Sequence, residues 1–385
     1  GACGVATDAW RARSRAESAS TKAANAAQPA QAQGYGEAAT RDLFIDLLLN
    51  GAGWALDQPR DREFEVQGMP NNEGKGFVDY VLWNGERPLA IVEAKRTRRS
   101  AKEGEQQARL YADCLEQRTG HRPVIYGTNG YEHWMWDDTT SPPRPVQGFH
   151  TRDELELMAQ RRTTRKPLAN LPIAAGLVER HYQQRAIRRI AETFEREQHR
   201  QALVVMATGP GKTRTVSALV DLLMRANWAK RVLFLADRVA LVNQAVNAFK
   251  AHLPDAAPVN LVTDRATEGR VYVSTYPTMM GLINEGAGGK QRRFGVGHFD
   301  LIVVDEAHRS IYQKYRAIFS YFDALLVGLT ATPKDEIDRN TYSLFGLESG
   351  VPTDAYDLND AIAEGYLVPP RAVSVPLKFQ REGIR

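Results

Sequence analysis

The spacing of apolar and polar positions changes several times along the chain, and each change marks a predicted element. From Glu37, "EAATRDLFIDLLLNGAGW" repeats apolar residues at helical spacing and stops at Gly51, predicting one amphipathic helix. Short apolar runs then predict strands over 77–83, 88–93 and 122–127, with the helix "AKEGEQQARLYADCLEQRTG" between the last two and a further strand in "YEHWMWD". "DDTTSPPRPVQG" breaks all periodicity, and a basic helical segment around "DELELMAQRRTTRK" leads to Pro172 in the manner of a linker. From His181 on, the runs "ALVVMAT", "VLFLAD", "VYVST", "LIVVDEAH" and "LLVGLTAT" alternate with helical patterns such as "TVSALVDLLMRA" and "ALVNQAVNAFKAHL", which predicts a mostly parallel sheet flanked by helices. The first stretch, to about Gly34, has little periodic hydrophobicity and reads as a mobile arm.

A chain of 385 residues has room for two α/β domains, each with its own core. Lys and Arg number 50 against 46 Asp and Glu, so the formal charge of +4 is not that of a chain coated in basic residues, and affinity for nucleic acid must be local. Cys3 and Cys114 lie far apart with no His/Cys cluster beside them, which argues against a disulfide framework and a zinc site and fits a reducing cytoplasm. No apolar run approaches the ~20 residues of a membrane helix, since "LFIDLLLNGAGWAL" is broken by Asp46 and by glycine, so no membrane partner is expected. The chain begins at Gly1 rather than Met, and its closing "VSVPLKFQREGIR" looks like a strand leading onward, as in a fragment.

Candidate chemistry sits in two places. "MATGPGKT", residues 206–213, follows an apolar strand and precedes a helix, the context in which a glycine-rich loop cradles phosphate; the bland alternative is a glycine turn capping a helix. Thr208, Gly209 and Gly211 belong to the loop, Lys212 reaches terminal phosphates, and the Thr213 hydroxyl suits Mg²⁺. Pro210 has no N–H to offer a phosphate and departs from the pattern, as does Met206 at its first glycine. "LIVVDEAH" ends an apolar strand with Asp305 aimed at Mg²⁺ and Glu306 at an attacking water.

The other place is "GFVDYVLWNGERPLAIVEAKRTRR". Leu89-Ala90-Ile91-Val92 reads as a strand covered on both faces, yet it ends in Glu93 and Lys95, with Asp79 on the preceding segment. Charge there needs a reason. Metal-dependent cleavage of a phosphodiester is one, and a solvated strand edge is the plain alternative. Gln107 and Tyr111 share one helix face at i and i+4, a spacing that is ordinarily plain surface. Trp134 and Trp136 read as core rather than base-stacking residues.

These segments resemble known families. "MATGPGKT", "LIVVDEAH" and "TATP" resemble superfamily 2 helicases of the DEAH type, with "RHYQQRA" similar to the adenine-reading element and "ADRVALVNQ" and "VSTYPTM" similar to motifs that touch the nucleic-acid backbone. The resemblance implies ATP as cofactor, Gln183 on the base with Tyr182 or Arg180 nearby, and Thr330, Thr332 and His308 coupling hydrolysis to movement. Asp79 with Glu93-Ala94-Lys95 resembles the PD-(D/E)xK nucleases, which implies Mg²⁺ held by Asp79 and Glu93, Lys95 at the water, an additional acid at Glu37, and Gln107 with Tyr111 as the QxxxY pattern of RecB-like and type I restriction nucleases.

The order of the two resembles the R subunit of type I restriction enzymes. That implies an arm over 1–34, a restriction-endonuclease-like nuclease domain over 35–150, a linker over 151–178, a first RecA-like P-loop domain over 179–370, and an exit toward a further RecA-like domain over 371–385. The implied activity is ATP-dependent translocation and cleavage of double-stranded DNA beside methyltransferase and specificity subunits. An autonomous helicase-nuclease of repair or phage defence is the alternative.

Overall fold

The computed structural model describes residues 44–95, 104–207, 209, 211–285, 293–307, 309–332, 337 and 339–369. The arm, Glu37, Thr208, Pro210, His308, the basic run 96–102 and the exit 371–385 lie outside the described residues. The described chain divides between Ala159 and Gln160 into two units.

The first unit is a mixed six-stranded sheet in simple chain order: β1 Arg62–Gln67, β2 Lys75–Asn84, β3 Arg87–Ala94, β4 Val124–Thr128, β5 His133–Trp136 and β6 Arg144–Val146. Neighbours are antiparallel except β3 and β4, which run parallel because α2, Glu105–Thr119, crosses over between them. One face, with Tyr80, Ala90, Val92 and Tyr126, packs with Ile45 and Leu49 near α1, Asp46–Gly51, and with Leu155 of α3, Arg152–Thr164. The other, with Val81, Ile91 and Ile125, is covered by Ala108, Ala112 and Leu115 of α2. Burial on both faces is why β3 is almost continuously apolar. β1 and β6 were not expected: "REFEVQ" is mostly exposed, so its alternation carries only one fully buried residue, Val66.

The second unit contains α4 His181–Glu195, β7 Gln201–Met206, α5 Lys212–Arg225, β8 Val232–Ala236, α6 Val239–His252, β9 Pro258–Asn260, β10 Val271–Thr275, α7 Tyr276–Asn284, β11 Leu301–Asp305, α8 Arg309–Tyr321, β12 Leu325–Thr330, α9 Arg339–Leu344, β13 Asp354–Tyr356 and α10 Leu358–Ala363. Its seven strands are all parallel, in the order β13-β7-β12-β11-β8-β10-β9. Every strand therefore ends on the same edge, where α/β sheets gather their chemistry. Helices cover both faces, with Ile187, Leu219 and Val246 on one and Met279 and Ile318 on the other, where Phe345 joins them from just after α9. Much of the expected linker packs into this unit: Leu168 and Val178 are fully buried, and Arg188 binds the carbonyls of Leu168 and Leu171.

Asp300, just before β11, ties the opposite edge together. It accepts Arg161 Nη2 at 2.9 Å and the N–H groups of Lys230 and Arg231 at 2.7 and 3.0 Å. Burial alone would raise its pKa, but Arg161 and the two N–H groups overcome this and hold it below the usual carboxylate value. A depressed carboxylate stabilises the fold above its unfolded pKa, near 3.8, and loses that contribution as pH falls through the folded value. Asp300→Asn, which leaves Arg161 buried without its counter-charge, is expected to cost about 3 kcal/mol at neutral pH. Its stability should also fall less steeply than wild type below about pH 4. Urea midpoints across pH check both; parallel acid limbs in the two proteins would refute the assignment.

Candidate functional site

In the first unit the pairing of Tyr80 with Val92 leaves Asp79 and Glu93 one residue further along at the same end of β2 and β3. By strand alternation they share the face of Val81 and Ile91, under α2. Asp79 Oδ2 accepts the Ala94 N–H at 2.7 Å, and Glu93, 6% exposed, accepts Lys95 Nζ on Oε1 at 2.7 Å. Lys95 N–H donates to the Thr128 carbonyl at 2.8 Å, extending the β3–β4 ladder to the end of the motif.

From α2, Gln107 Nε2 donates to the Tyr111 hydroxyl at 2.5 Å. Burial pushes the Tyr111 phenol up; the Gln107 bond pulls it back, Glu93 and Asp79 push it further up, and Lys95 pulls it down. Asp79, Glu93, Lys95, Gln107 and Tyr111 thus form one electrostatic neighbourhood. Glu37 is the one candidate of this group outside the described residues.

Sequence reasoning missed Gly104. It sits at φ +91° immediately before α2, and a Cβ there would lie 2.7 Å from Lys95 Cε and 3.0 Å from Nζ. A glycine inside a predicted helix was the available signal. Half-buried Trp134 and Trp136 line a recess beside Glu93 together with Ala108 and Ile125. Among the described residues no three or more His, Cys, Asp and Glu side chains cluster. The donor types fit a divalent cation of the Mg²⁺ kind all the same: two hard carboxylates, on Asp79 and Glu93, belong to the same end of two paired strands.

In the second unit the glycine-rich loop joins β7 to α5. Gly209 and Gly211 have φ of +100° and +91°, and Gly211 is the residue before α5, whose first-turn N–H groups suit an anion. Lys212 Nζ lies 3.1 Å from Glu306 Oε1. Thr213 is half-buried in the same turn. Burial raises Asp305, Lys212 offsets part of this, and the Glu306 charge adds to it. Glu306 adopts φ +56°, a conformation costing about 1–2 kcal/mol for such a residue. Its N–H returns to Asp305 Oδ1 at 3.1 Å. A hydroxyl and a carboxylate, from Thr213 and Asp305, are again hard donors suited to Mg²⁺ beside phosphate.

Neighbouring motifs bind this edge together. Tyr276, from "VSTYPTM", donates to the Asp305 carbonyl at 3.1 Å, a contact sequence reasoning did not foresee. Ala307 N–H reaches the Leu329 carbonyl at 2.8 Å, and fully buried Thr330 accepts the Thr332 N–H at 3.1 Å. Gln183 is buried, with its amide nitrogen 2.7 Å from where a Cβ on Gly211 would be. Of the two residues expected near a base, Tyr182 is fully buried and stacked on Tyr356 at 3.8 Å with planes 7° apart. Arg180 donates to the Tyr182 hydroxyl at 2.8 Å and stays half-exposed. Among the described residues no helix is long and apolar enough to cross a membrane.

Comparison with known proteins gives the same pairing of parts. Residues 57–155 match the family described as type I restriction enzyme EcoKI endonuclease subunit second domain, and residues 176–335 match type III restriction enzyme, res subunit (ResIII). The type I restriction enzyme EcoAI endonuclease subunit of Escherichia coli is 31% identical over 80% of this chain and 39% of its own length. The EcoKI endonuclease subunit of Escherichia coli K12 is 27% identical over 89% of this chain and 36% of its own. The chain thus spans less than half the length of these relatives. A solved fragment assigned as an HsdR subunit of a type I restriction enzyme from Vibrio vulnificus YJ016 is 26% identical over 86% of this chain and 61% of that one, with a TM-score of 0.39. Both sequence matches fall in this order along one chain, which is therefore similar over most of its length to the endonuclease subunits of type I restriction enzymes and, over residues 176–335, to the ResIII family.

Proposed function

We propose that the chain is the DNA-cutting and ATP-using part of a type I restriction complex, translocating double-stranded DNA and cleaving it with Mg²⁺ in the cytoplasm beside methyltransferase and specificity subunits. The observation that carries this is the presence in one chain of a carboxylate–carboxylate–lysine strand end and a phosphate loop whose lysine meets the acid of a DE pair. In the first unit, Asp79 and Glu93 would hold Mg²⁺, which when bound supplies charge to polarise the phosphate and acidify a water. Lys95, held as an ammonium by Glu93, would position that water, and Gln107 fixes the Tyr111 hydroxyl.

In the second unit, Gly209, Gly211 and Lys212 would cradle the phosphates of ATP, with Thr213 and Asp305 toward Mg²⁺ and Gln183 toward the base. Glu306 accepts a proton from the attacking water, while Thr330 and Thr332 link that edge to movement. The test is cleavage of unmodified and methylated plasmid by the full-length protein, with and without its methyltransferase partner, in Mg²⁺ and ATP. Cutting of unmodified DNA alone, dependent on ATP and partner, is expected. Cutting by the protein alone, indifferent to methylation, would instead mark an autonomous helicase-nuclease.

A further inference from the structure

The C-terminal turn of α10 directs residues 366 and 367 back toward the phosphate loop. Gly365, at φ +76°, donates its N–H to the Ile362 carbonyl at 3.0 Å, and Tyr366 N–H reaches back to the Ala361 carbonyl at 2.9 Å, the paired closure of a Schellman turn. Leu367 N–H shares the same carbonyl at 3.0 Å. Glu364, the residue before the turn, is held by the Tyr356 hydroxyl at 2.9 Å and lies 3.4 Å from His181 Nε2. The turn is thereby fastened to the start of α4.

Of the next two side chains, one reaches the loop and the other joins the aromatic group at the start of α4. Leu367 Cδ2 is 3.3 Å from where a Cβ on Gly209 would stand. The Tyr366 ring, 38% exposed, meets Tyr182 edge-on at 5.4 Å and carries the Arg180 guanidinium 4.8 Å from its centre. Gln183, next in sequence to Tyr182, adjoins Gly211. An apolar leucine thus reaches the loop near where Gln183 does, and next to that leucine in sequence stands an exposed tyrosine with a planar cation over its ring.

We propose that Tyr366, with Arg180 and Leu367, forms the stacking wall for the nucleobase of the bound nucleotide, making Tyr366 a specificity-determining residue supplied from beyond the core motifs. A flat purine suits an aromatic ring backed by a guanidinium, and the neutral ring of Tyr366 has nothing to stack on in a ligand that lacks a base. The proposal rests on the nucleotide-binding reading of the loop.

The test uses the full-length protein and two probes, ATP and inorganic tripolyphosphate, with affinities from titration calorimetry. Tyr366→Ala should weaken ATP about tenfold, leave tripolyphosphate unchanged, and keep the wild-type melting profile. Tyr366→Phe should retain ATP affinity. Equal loss for both probes, or no loss for either, would overturn the stacking wall while leaving the phosphate loop in place. Failure of the wild-type protein to bind either probe would overturn the loop reading and the wall with it.

Discussion

Asp79→Ala in the full-length protein is expected to abolish DNA cleavage while ATP hydrolysis continues at the wild-type rate. A metal-bound phosphodiester site supplies several kcal/mol of transition-state stabilisation, and at 1.36 kcal/mol per decade the loss amounts to about a thousandfold or more. Asp79 is half-buried and its Oδ2 accepts the Ala94 N–H, so truncation frees one backbone donor at the end of β3 and leaves the ladder beyond it intact. An unchanged melting profile for the variant is expected alongside, which marks the defect as chemical. Lys95→Ala should lose cleavage as well, but through a different route, since it also strips Glu93 of its ammonium partner in a buried setting. A nicking assay run beside an ATPase assay decides the matter. Cleavage by Asp79→Ala at the wild-type rate would end the metal-site proposal.

Lys212→Ala should remove ATP hydrolysis and, with it, the ATP-dependent part of cleavage, so the two variants separate the two chemistries. The lysine acts twice. It is the cation at the mouth of α5 that would meet phosphate, and it holds down the pKa of Asp305, which burial raises. Without it, Asp305 shifts further up and competes less well for Mg²⁺ as pH falls, while Glu306 loses its ion pair at 3.1 Å. At least a hundredfold weaker nucleotide binding is expected, about 2.7 kcal/mol. Fluorescent-nucleotide titration reads this directly. Unchanged affinity would mean that the glycine loop is only a helix cap.

Local signals account for what the sequence disclosed. The apolar run Leu89–Val92 ending in charge, and the loop before Lys212, each contain their own periodicity and their own chemistry within a dozen residues. What escaped depends on distant partners. β9 and β13 are three residues each, too short to display a period of two. The resemblance of "RHYQQRA" put Tyr182 or Arg180 near a base, and that Tyr182 stacks on Tyr356 depends on a partner far along the chain. Arg161 and Asp300, 139 residues apart, carry no mark of their pairing. Gly104 was hidden for a related reason: its meaning comes from Lys95, which only the start of α2 brings to it.

The position of β13 at the sheet edge beside β7 has a consequence for how the molecule is made. Leu203 N–H in β7 donates to Thr353 Oγ1 across 150 residues of chain. At ribosomal rates of about 5–20 residues per second, roughly 8–30 s separate the emergence of these two partners. Both flanks of the strand leading into the phosphate loop stay open until β12 emerges, and from then until β13 arrives one flank of unpaired N–H and C=O groups is the edge most open to a wrong strand. The nascent protein must therefore wait, protected or merely lucky, until its last described strand arrives to close it.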